Sequence, residues 1–270
     1  MIMKKLISIL FVSLFLTACT QTTMSGFTNL NRSQLMLTPA SQINAQANQA
    51  YAQVIQQAKA HKVLNTNKKR TARVKRIANK LIATTPVFRP DAKQWQWEVN
   101  VITDDTVNAW CMPGGKIVVY SGIIDKLKLT DDELAMVIGH EIIHALREHS
   151  REQQSREMIK GGLLTVAAIL GADRGTLALG NTIANLGISL PFNREQETEA
   201  DDFGLELAFR AGYNPDAAVS VWKKMAKLGG KQPPEFLSTH PSNEHRIANL
   251  QQLANQLKLM KKQQKKSGKI

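Results

Sequence analysis

Residues 131–150, DDELAMVIGHEIIHALREHS, predict the helix that carries the chemistry of this chain. Thr130 and Glu133 have the spacing of a capping box, and acidic residues fill the first turn, where the helix dipole favours negative charge. A helix is therefore expected from about residue 131 to about residue 150, with a second helical region after it.

Two histidines lie four positions apart in the pentapeptide HEIIH, residues 140–144. Positions i and i+4 share one helix face, so His140 and His144 can direct two imidazoles at one tetrahedral zinc ion with Zn–N bonds of about 2.0–2.1 Å. Glu141 can reach a zinc-bound water without ligating the metal, as a general base must. The competing interpretation is two solvent-facing histidines on a polar helix side.

A catalytic zinc site also needs a third protein ligand, and residues 193–204, NREQETEADDFG, supply candidates. Glu197 and Asp201 share a helix face, which suits a carboxylate ligand beside an acceptor for a histidine N–H. Spacing alone leaves Glu195 and Glu199 as rival ligands, and Asp201 as a surface acid. The same helix has a stripe of small residues that permits close approach to the HEIIH helix: Ala200, Gly204 and Ala208.

These two motifs resemble those of the HtpX-like gluzincin zinc metallopeptidases, in particular the periplasmic lipoprotein members of the LoiP and BepA type. The family pattern is HExxH followed by a later ExxAD, which here is ETEAD at residues 197–201. The resemblance covers about residues 70–250 and implies one zinc ion per chain, bound by His140, His144 and Glu197. The expected fold is α+β, mostly helical and zincin-like, with a small, mostly antiparallel sheet beside the active-site helix.

Residues 95–102 predict a strand, and residues 107–120 predict a hairpin with the turn Pro-Gly-Gly. The family resemblance extends over VNAWCMPGGKIVVYSGII, residues 107–124, and implies that this hairpin lies at the edge of the substrate cleft. Asn108 is the candidate substrate-binding residue, with a plain strand-end asparagine as the alternative. An exposed strand here could bind an extended peptide by β-augmentation.

A third matching stretch, LSTHP at residues 237–241, implies that His240 approaches the metal centre. His240 could stabilise the oxyanion or fill the open zinc position in a latent state; an ordinary loop histidine is the alternative. Arg246 is equally expected as a structural ion-pair partner. The remaining histidines are expected at the surface: His61, His149 and His245.

Further helices are expected over about 41–64, 71–83, 194–211 and 215–228, and from about residue 242. Residues 161–190 are largely apolar, interrupted by Asp173 and Arg174. Because residues 161–171 are too few to cross a bilayer, a buried or interface-dipping helical hairpin is favoured over a transmembrane pair.

Residues 1–18 are expected to be a lipoprotein signal peptide, since a basic start precedes an apolar run that ends in Leu-Thr-Ala-Cys. This ending resembles a bacterial lipobox and implies cleavage before Cys19 and its acylation, for example with palmitate. An ordinary signal with an incidental cysteine is the alternative. Thr20 follows the cysteine where an aspartate would indicate the inner membrane, so an outer-membrane lipoprotein facing the periplasm is expected. A tether is expected over residues 19–40.

The metallopeptidase domain is expected over residues 41–256, followed by a Lys-rich tail over 257–270. The chain carries a formal charge of +13, much of it in that tail, which is either a solvated helix end or a region attracted to anionic lipid or another polyanion. No nucleic-acid motif accompanies the charge, so no nucleic-acid partner is expected. Cys111, the remaining cysteine of the mature chain, is expected to be buried, with a reactive thiol as the alternative.

The expected function is hydrolysis of internal peptide bonds in unfolded or misfolded cell-envelope proteins, with contact to the outer-membrane assembly machinery as a further partner. Two rival functions are a zinc-stabilised chaperone-like or adaptor lipoprotein, and a membrane-associated scaffold that works through residues 161–190. The intact Glu141 argues against the first rival, because a binding protein needs no general base. The charges at Asp173 and Arg174 argue against the second.

Overall fold

The computed structural model describes residues 19–28, 32–169, 191–228, 235–240 and 245–267. The predicted signal peptide and most of the predicted apolar hairpin lie outside these residues.

The described chain is mostly helical. Two short 3₁₀ turns, Thr85–Val87 and Pro90–Gln94, come between the second α-helix and the three-stranded sheet. The helices are α1 (Ala40–Ala60), α2 (Lys68–Thr84), α3 (Ser121–Leu127), α4 (Asp131–Leu146), α5 (His149–Ile169), α6 (Arg194–Arg210), α7 (Ala217–Lys227), α8 (Glu235–Thr239) and α9 (Arg246–Lys266). Among the described helices, none combines the length and apolarity that a bilayer crossing requires.

The strands form a small sheet beside α4 and a short separate pair. In the three-stranded sheet, β5 (Lys116–Tyr120) lies between β3 (Glu98–Ile102) and β4 (Ala109–Met112). The β4–β5 hairpin is antiparallel, as predicted, whereas β3 pairs with β5 in parallel. The sheet is therefore mixed, and β4 is the strand that packs most extensively against α4. The separate pair joins β1 (Cys19–Thr20) to β2 (Gln34–Leu35).

Helix α4 is the buried centre of the fold. Thr130 Oγ1 accepts a hydrogen bond from the backbone N–H of Glu133, and the Glu133 side chain accepts one from the N–H of Thr130, which confirms the capping box. The helix ends at Leu146, earlier than predicted, because Glu148 adopts a left-handed backbone with φ of 50°. This tight turn starts α5 immediately, at His149.

Helices α4 and α6 approach each other at two glycines. A Cβ atom on Gly204 would lie 2.8 Å from the backbone nitrogen of His140, and one on Gly139 would lie 2.9 Å from the carbonyl oxygen of Gly204. Both distances are too short for any side chain, so only glycine fits at this crossing. Ala200 and Ala208 are fully buried on either side of Gly204, which confirms the stripe of small residues.

The described part of the N-terminal segment, for which a tether is predicted, makes several contacts with the rest of the domain. Arg32 forms ion pairs with Glu152 and Glu199, and the fully buried Gln34 donates a hydrogen bond to the carbonyl oxygen of Arg147. Met24 also donates its N–H to the carbonyl oxygen of Phe88. Polar composition suggested a linker, but these polar groups complete buried ion pairs of the domain.

The start of the predicted Lys-rich tail continues α9. Leu257 is fully buried, and Lys258 forms an ion pair with Asp216 at 2.7 Å. The lysines that follow at the end of the helix are exposed: Lys261, Lys262, Lys265 and Lys266. The boundary predicted at residue 257 therefore falls inside a packed helix.

The Gly139–Gly204 crossing predicts a large effect of one added methyl group. Gly204→Ala should force α4 and α6 apart and lower the free energy of unfolding by about 1–3 kcal/mol, as overpacking does. The matched control is Gly161→Ala on α5, where an added Cβ meets no atom of the described residues within 4 Å. Thermal unfolding of both variants measures the difference. Equal stabilities would show that the glycine contact does not limit helix approach.

Candidate metal centre

Four buried side chains from three parts of the chain converge on one point. His140 and His144 project from α4, Glu197 from α6, and His240 from the residue that follows α8. Their ligand-type atoms all lie within 4.8 Å of one another. The structure thus brings together the three predicted zinc ligands and the histidine predicted to approach them.

The distances between these atoms suit a tetrahedral metal ion. His140 Nε2 lies 3.1 Å from His144 Nε2 and 3.3 Å from His240 Nδ1. Glu197 Oε1 lies 2.9 Å from His240 Nδ1 and 3.5 Å from His144 Nε2. Bonds of about 2.0–2.1 Å to a tetrahedral zinc ion require ligand atoms about 3.3 Å apart. The two nitrogens and the carboxylate oxygen of the predicted site therefore fit this ion without rearrangement.

The outer ring nitrogen of His140 contacts Asp201. Its Nδ1 lies 3.0 Å from Asp201 Oδ1, so Asp201 occupies the position predicted for an acceptor of a histidine N–H. Arg246 is buried against both carboxylates, with Nη2 2.7 Å from Asp201 Oδ1 and 3.1 Å from Glu197 Oε2. The guanidinium also lies 3.3 Å from the centre of the Trp222 ring. Arg246 thus acts as the structural ion-pair partner of the two acids.

The outer ring nitrogen of His144 contacts His149, which was expected at the surface. His149 is fully buried, with Nδ1 2.9 Å from His144 Nδ1 and Nε2 2.9 Å from Glu199 Oε2. Sequence reasoning missed this contact because it extended α4 through residue 150. Glu199, a rival ligand by spacing, faces His149 and Arg147 instead, and Glu195 is largely exposed.

Burial adjusts the protonation of the cluster. It holds the pKa values of His140 and His144 well below the ordinary range, so both imidazoles are neutral, which is the form that binds metal. Burial also raises the pKa of Glu141 to about 7, against an opposing effect of the His240 charge. Burial would lower the pKa of His240, but the carboxylates of Glu141 and Glu197 outweigh it and raise that pKa.

Glu141 lies beside the cluster and not within it. Its Oε1 is 3.4 Å from His240 Nε2 and accepts no hydrogen bond from any residue that the structure describes. A buried carboxylate oxygen without a donor is costly unless a ligand supplies one. This oxygen is therefore available to a bound molecule that offers a hydrogen-bond donor.

A cleft of about 250 Å³ opens onto this cluster. Its lining includes residues of β4, residues of α1 such as Ile43 and Ala47, and Glu141 and His144 of α4. Cys111 lines the cleft but is buried, as predicted, and burial raises the pKa of its thiol well above the ordinary range.

Asn108 also lines this cleft, but its side chain is engaged locally. Its Oδ1 accepts a hydrogen bond from the N–H of Ala109 at 2.8 Å, and its Nδ2 donates to Glu235 Oε1 at 3.1 Å. This favours the interpretation of Asn108 as a strand-end asparagine that shapes the cleft wall.

Comparisons with known proteins agree with this centre. The sequence profile of Peptidase family M48 matches residues 68–254. The mitochondrial metalloendopeptidase OMA1 of Arabidopsis thaliana is 42% identical over 151 residues, which cover 56% of this chain and 30% of that protein. OMA1 of Schizosaccharomyces pombe is 35% identical over 184 residues, which cover 67% of this chain and 52% of that protein.

A bacterial relative, the beta-barrel assembly-enhancing protease of Escherichia coli, is 30% identical over 170 residues, which cover 59% of this chain and 35% of that protein. The matches therefore span about half or less of these relatives' own lengths. The expected metallopeptidase relationship is confirmed, while the narrower HtpX-like, LoiP-type grouping is supported only in part, because several relatives are mitochondrial OMA1 proteins. The chain belongs to Peptidase family M48.

Proposed function

We propose that this chain is a zinc-dependent endopeptidase in which His140, His144 and Glu197 bind the metal and Glu141 is the general base. The observation that carries the proposal is the buried cluster of imidazoles and a carboxylate, with tetrahedral spacing, beside a cleft that His144 and Glu141 line. The relatives named metalloendopeptidases support it.

The residues divide the reaction between them. When bound, zinc would supply Lewis acidity, polarising a carbonyl and lowering the pKa of water. Glu141, whose Oε1 accepts no hydrogen bond from any described residue, takes a proton from the attacking water and returns it to the amine that leaves. Asp201 holds the His140 ring by its outer nitrogen, and Arg246 holds Glu197 and Asp201 together.

The cleft suits an extended segment of polypeptide. Strand β4 has a neighbour on one side only among the described strands, and residues of this strand line the cleft. An unpaired strand edge binds an extended peptide through backbone hydrogen bonds, which requires little side-chain specificity. A substrate must be locally unfolded to offer such a segment, so unfolded or misfolded proteins are the proposed substrates.

His240 is proposed to hold the centre in a resting arrangement. Its Nδ1 lies within the cluster, and its ring therefore takes the corner that a substrate or water needs. Productive binding then requires His240 to withdraw. This arrangement is favoured over oxyanion stabilisation because His240 Nδ1 faces two of the ligand atoms, 3.3 Å from His140 Nε2 and 2.9 Å from Glu197 Oε1.

The proposed location is the outer membrane, facing the periplasm, with Cys19 acylated and misfolded envelope proteins as substrates. The lipobox-like sequence before Cys19 supports the anchor. A relative from Escherichia coli is named a beta-barrel assembly-enhancing protease. This name supports the proposal that the present protein contacts the outer-membrane assembly machinery.

The general-base role predicts that Glu141→Gln loses at least 10²-fold in kcat/KM for casein and retains zinc, because Gln cannot take the proton. Proteolysis and metal content of purified protein measure both quantities. Wild-type activity in this variant would contradict the mechanism.

Two matched substitutions on α6 separate the metal-ligand role of Glu197 from the general-base role of Glu141. Glu197→Ala should lose both zinc and activity. Glu195→Ala changes an exposed side chain two residues earlier on the same helix and should keep both. Wild-type protein that binds zinc without cleaving casein would favour the chaperone-like alternative.

The resting arrangement predicts that His240→Ala raises basal kcat/KM. The rise would be about tenfold if the closed arrangement outnumbers the open one by about ten to one. The exposed His61→Ala is the control and should match wild type. A fall of about 10²-fold or more would instead assign His240 to oxyanion stabilisation.

The anchor predicts that Cys19→Ser moves the protein from the membrane fraction to the soluble periplasmic fraction and abolishes incorporation of labelled palmitate. Cys111→Ser, which alters a buried thiol, should leave both properties unchanged. Membrane association that survives in Cys19→Ser would exclude lipid attachment at this residue as the anchor.

A further inference from the structure

His149 is placed between a candidate ligand and a fixed carboxylate. The turn at Arg147–Glu148, with its left-handed Glu148, brings the His149 ring back against His144, five residues earlier. One face of the His144 ring stacks on Phe192, with ring centres 4.0 Å apart. The ring of His144 is therefore confined on one face by Phe192 and at its outer nitrogen by His149.

The far end of this contact is a carboxylate that can only accept hydrogen bonds. Glu199 Oε1 accepts hydrogen bonds from Arg147 Nη2 at 2.9 Å and from Arg32 Nε at 2.7 Å. The charges of these two arginines keep the Glu199 carboxylate ionised. His149 Nε2, at 2.9 Å, must therefore carry a proton and donate it to Glu199 Oε2. In its neutral form His149 has no other ring N–H, so its Nδ1 is left as an acceptor.

The direction of the second hydrogen bond follows from the first. Because His149 Nδ1 accepts, His144 Nδ1 must donate at 2.9 Å, and the proton of a neutral His144 is thereby held on its outer nitrogen. His144 Nε2 then presents a lone pair to the cluster. The opposite tautomer would direct an N–H at His140 Nε2, 3.1 Å away, and would block metal binding.

We propose that His149 is a positioning residue that sets the tautomer and ring orientation of His144 through the chain His144–His149–Glu199. The proposal rests on the proposed zinc site for its consequence, but not for the tautomers. The two candidate ligands thus reach their carboxylates differently: His140 contacts Asp201 directly, while His144 reaches Glu199 through a second imidazole.

Three variants test the proposal. His149→Phe keeps a ring of similar size but removes the acceptor, so zinc should bind about 10–100-fold more weakly, as expected when an outer partner of a metal ligand is lost. His149→Asn places an oxygen near the position of Nδ1 and should recover part of that loss. Ser155→Ala removes a buried hydroxyl elsewhere on α5, where it binds the N–H of Leu37, and should leave zinc affinity unchanged.

Two measurements are required. Competition with a chromophoric chelator gives the zinc dissociation constant of each variant. Long-range ¹H–¹⁵N correlation spectra of metal-free protein, labelled with ¹⁵N-histidine, report the tautomers: His144 should carry its proton on Nδ1 and His149 on Nε2. In His149→Asn, His144 should keep the Nδ1–H form, and this variant decides the matter if His149→Phe does not fold.

The outcomes separate this inference from the proposed function. A wild-type His144 protonated at Nε2, or an unchanged zinc dissociation constant in both His149 variants, overturns the positioning role even if the enzyme is active. A wild-type protein without zinc affinity overturns the proposed function, while the tautomers measured in metal-free protein still decide whether His149 orients His144.

Discussion

The close crossing of α4 and α6 at Gly139 and Gly204 is the constraint on which the rest of the structure depends. A Cβ on Gly204 would lie 2.8 Å from the backbone nitrogen of His140, so the crossing point is immediately beside a candidate ligand. Because the helices touch backbone to backbone, Glu197 on one reaches the two histidines on the other. Packed helices ordinarily lie about 8–10 Å apart, depending on the side chains at the contact, and a contact between two glycines permits a close approach.

Burying so many carboxylates beside the cluster has a large electrostatic cost, and arginines offset it. An unpaired buried ion costs several kcal/mol, whereas a paired and hydrogen-bonded ion costs much less. Arg246 neutralises Glu197 and Asp201 on the His140 side. Arg147 and Arg32 neutralise Glu199 on the His144 side, and Arg32 belongs to the N-terminal segment. That segment is therefore part of the electrostatic structure around the centre.

The features that could be predicted from the sequence are those that depend on the spacing of residues close together in the chain. His140 and His144 follow from i, i+4 geometry, the capping box of Thr130 and Glu133 from a short motif, and Glu197 from spacing together with family resemblance. The sequence could not reveal His149, because the left-handed turn at Glu148 is stabilised by tertiary contacts of its neighbours rather than by local propensity. The parallel pairing of β3 and the packing of Arg32 likewise depend on contacts between residues far apart in the chain.

His140, His144 and Glu197 are proposed to bind one zinc ion in a tetrahedral environment of imidazole and carboxylate. Zinc K-edge X-ray absorption on the purified, zinc-loaded protein tests this proposal most directly. The account predicts four nitrogen or oxygen neighbours at about 2.0–2.1 Å, with the outer-shell scattering of at least two imidazoles. Six oxygen neighbours without imidazole scattering, or a spectrum unchanged by Glu197→Ala, would contradict it.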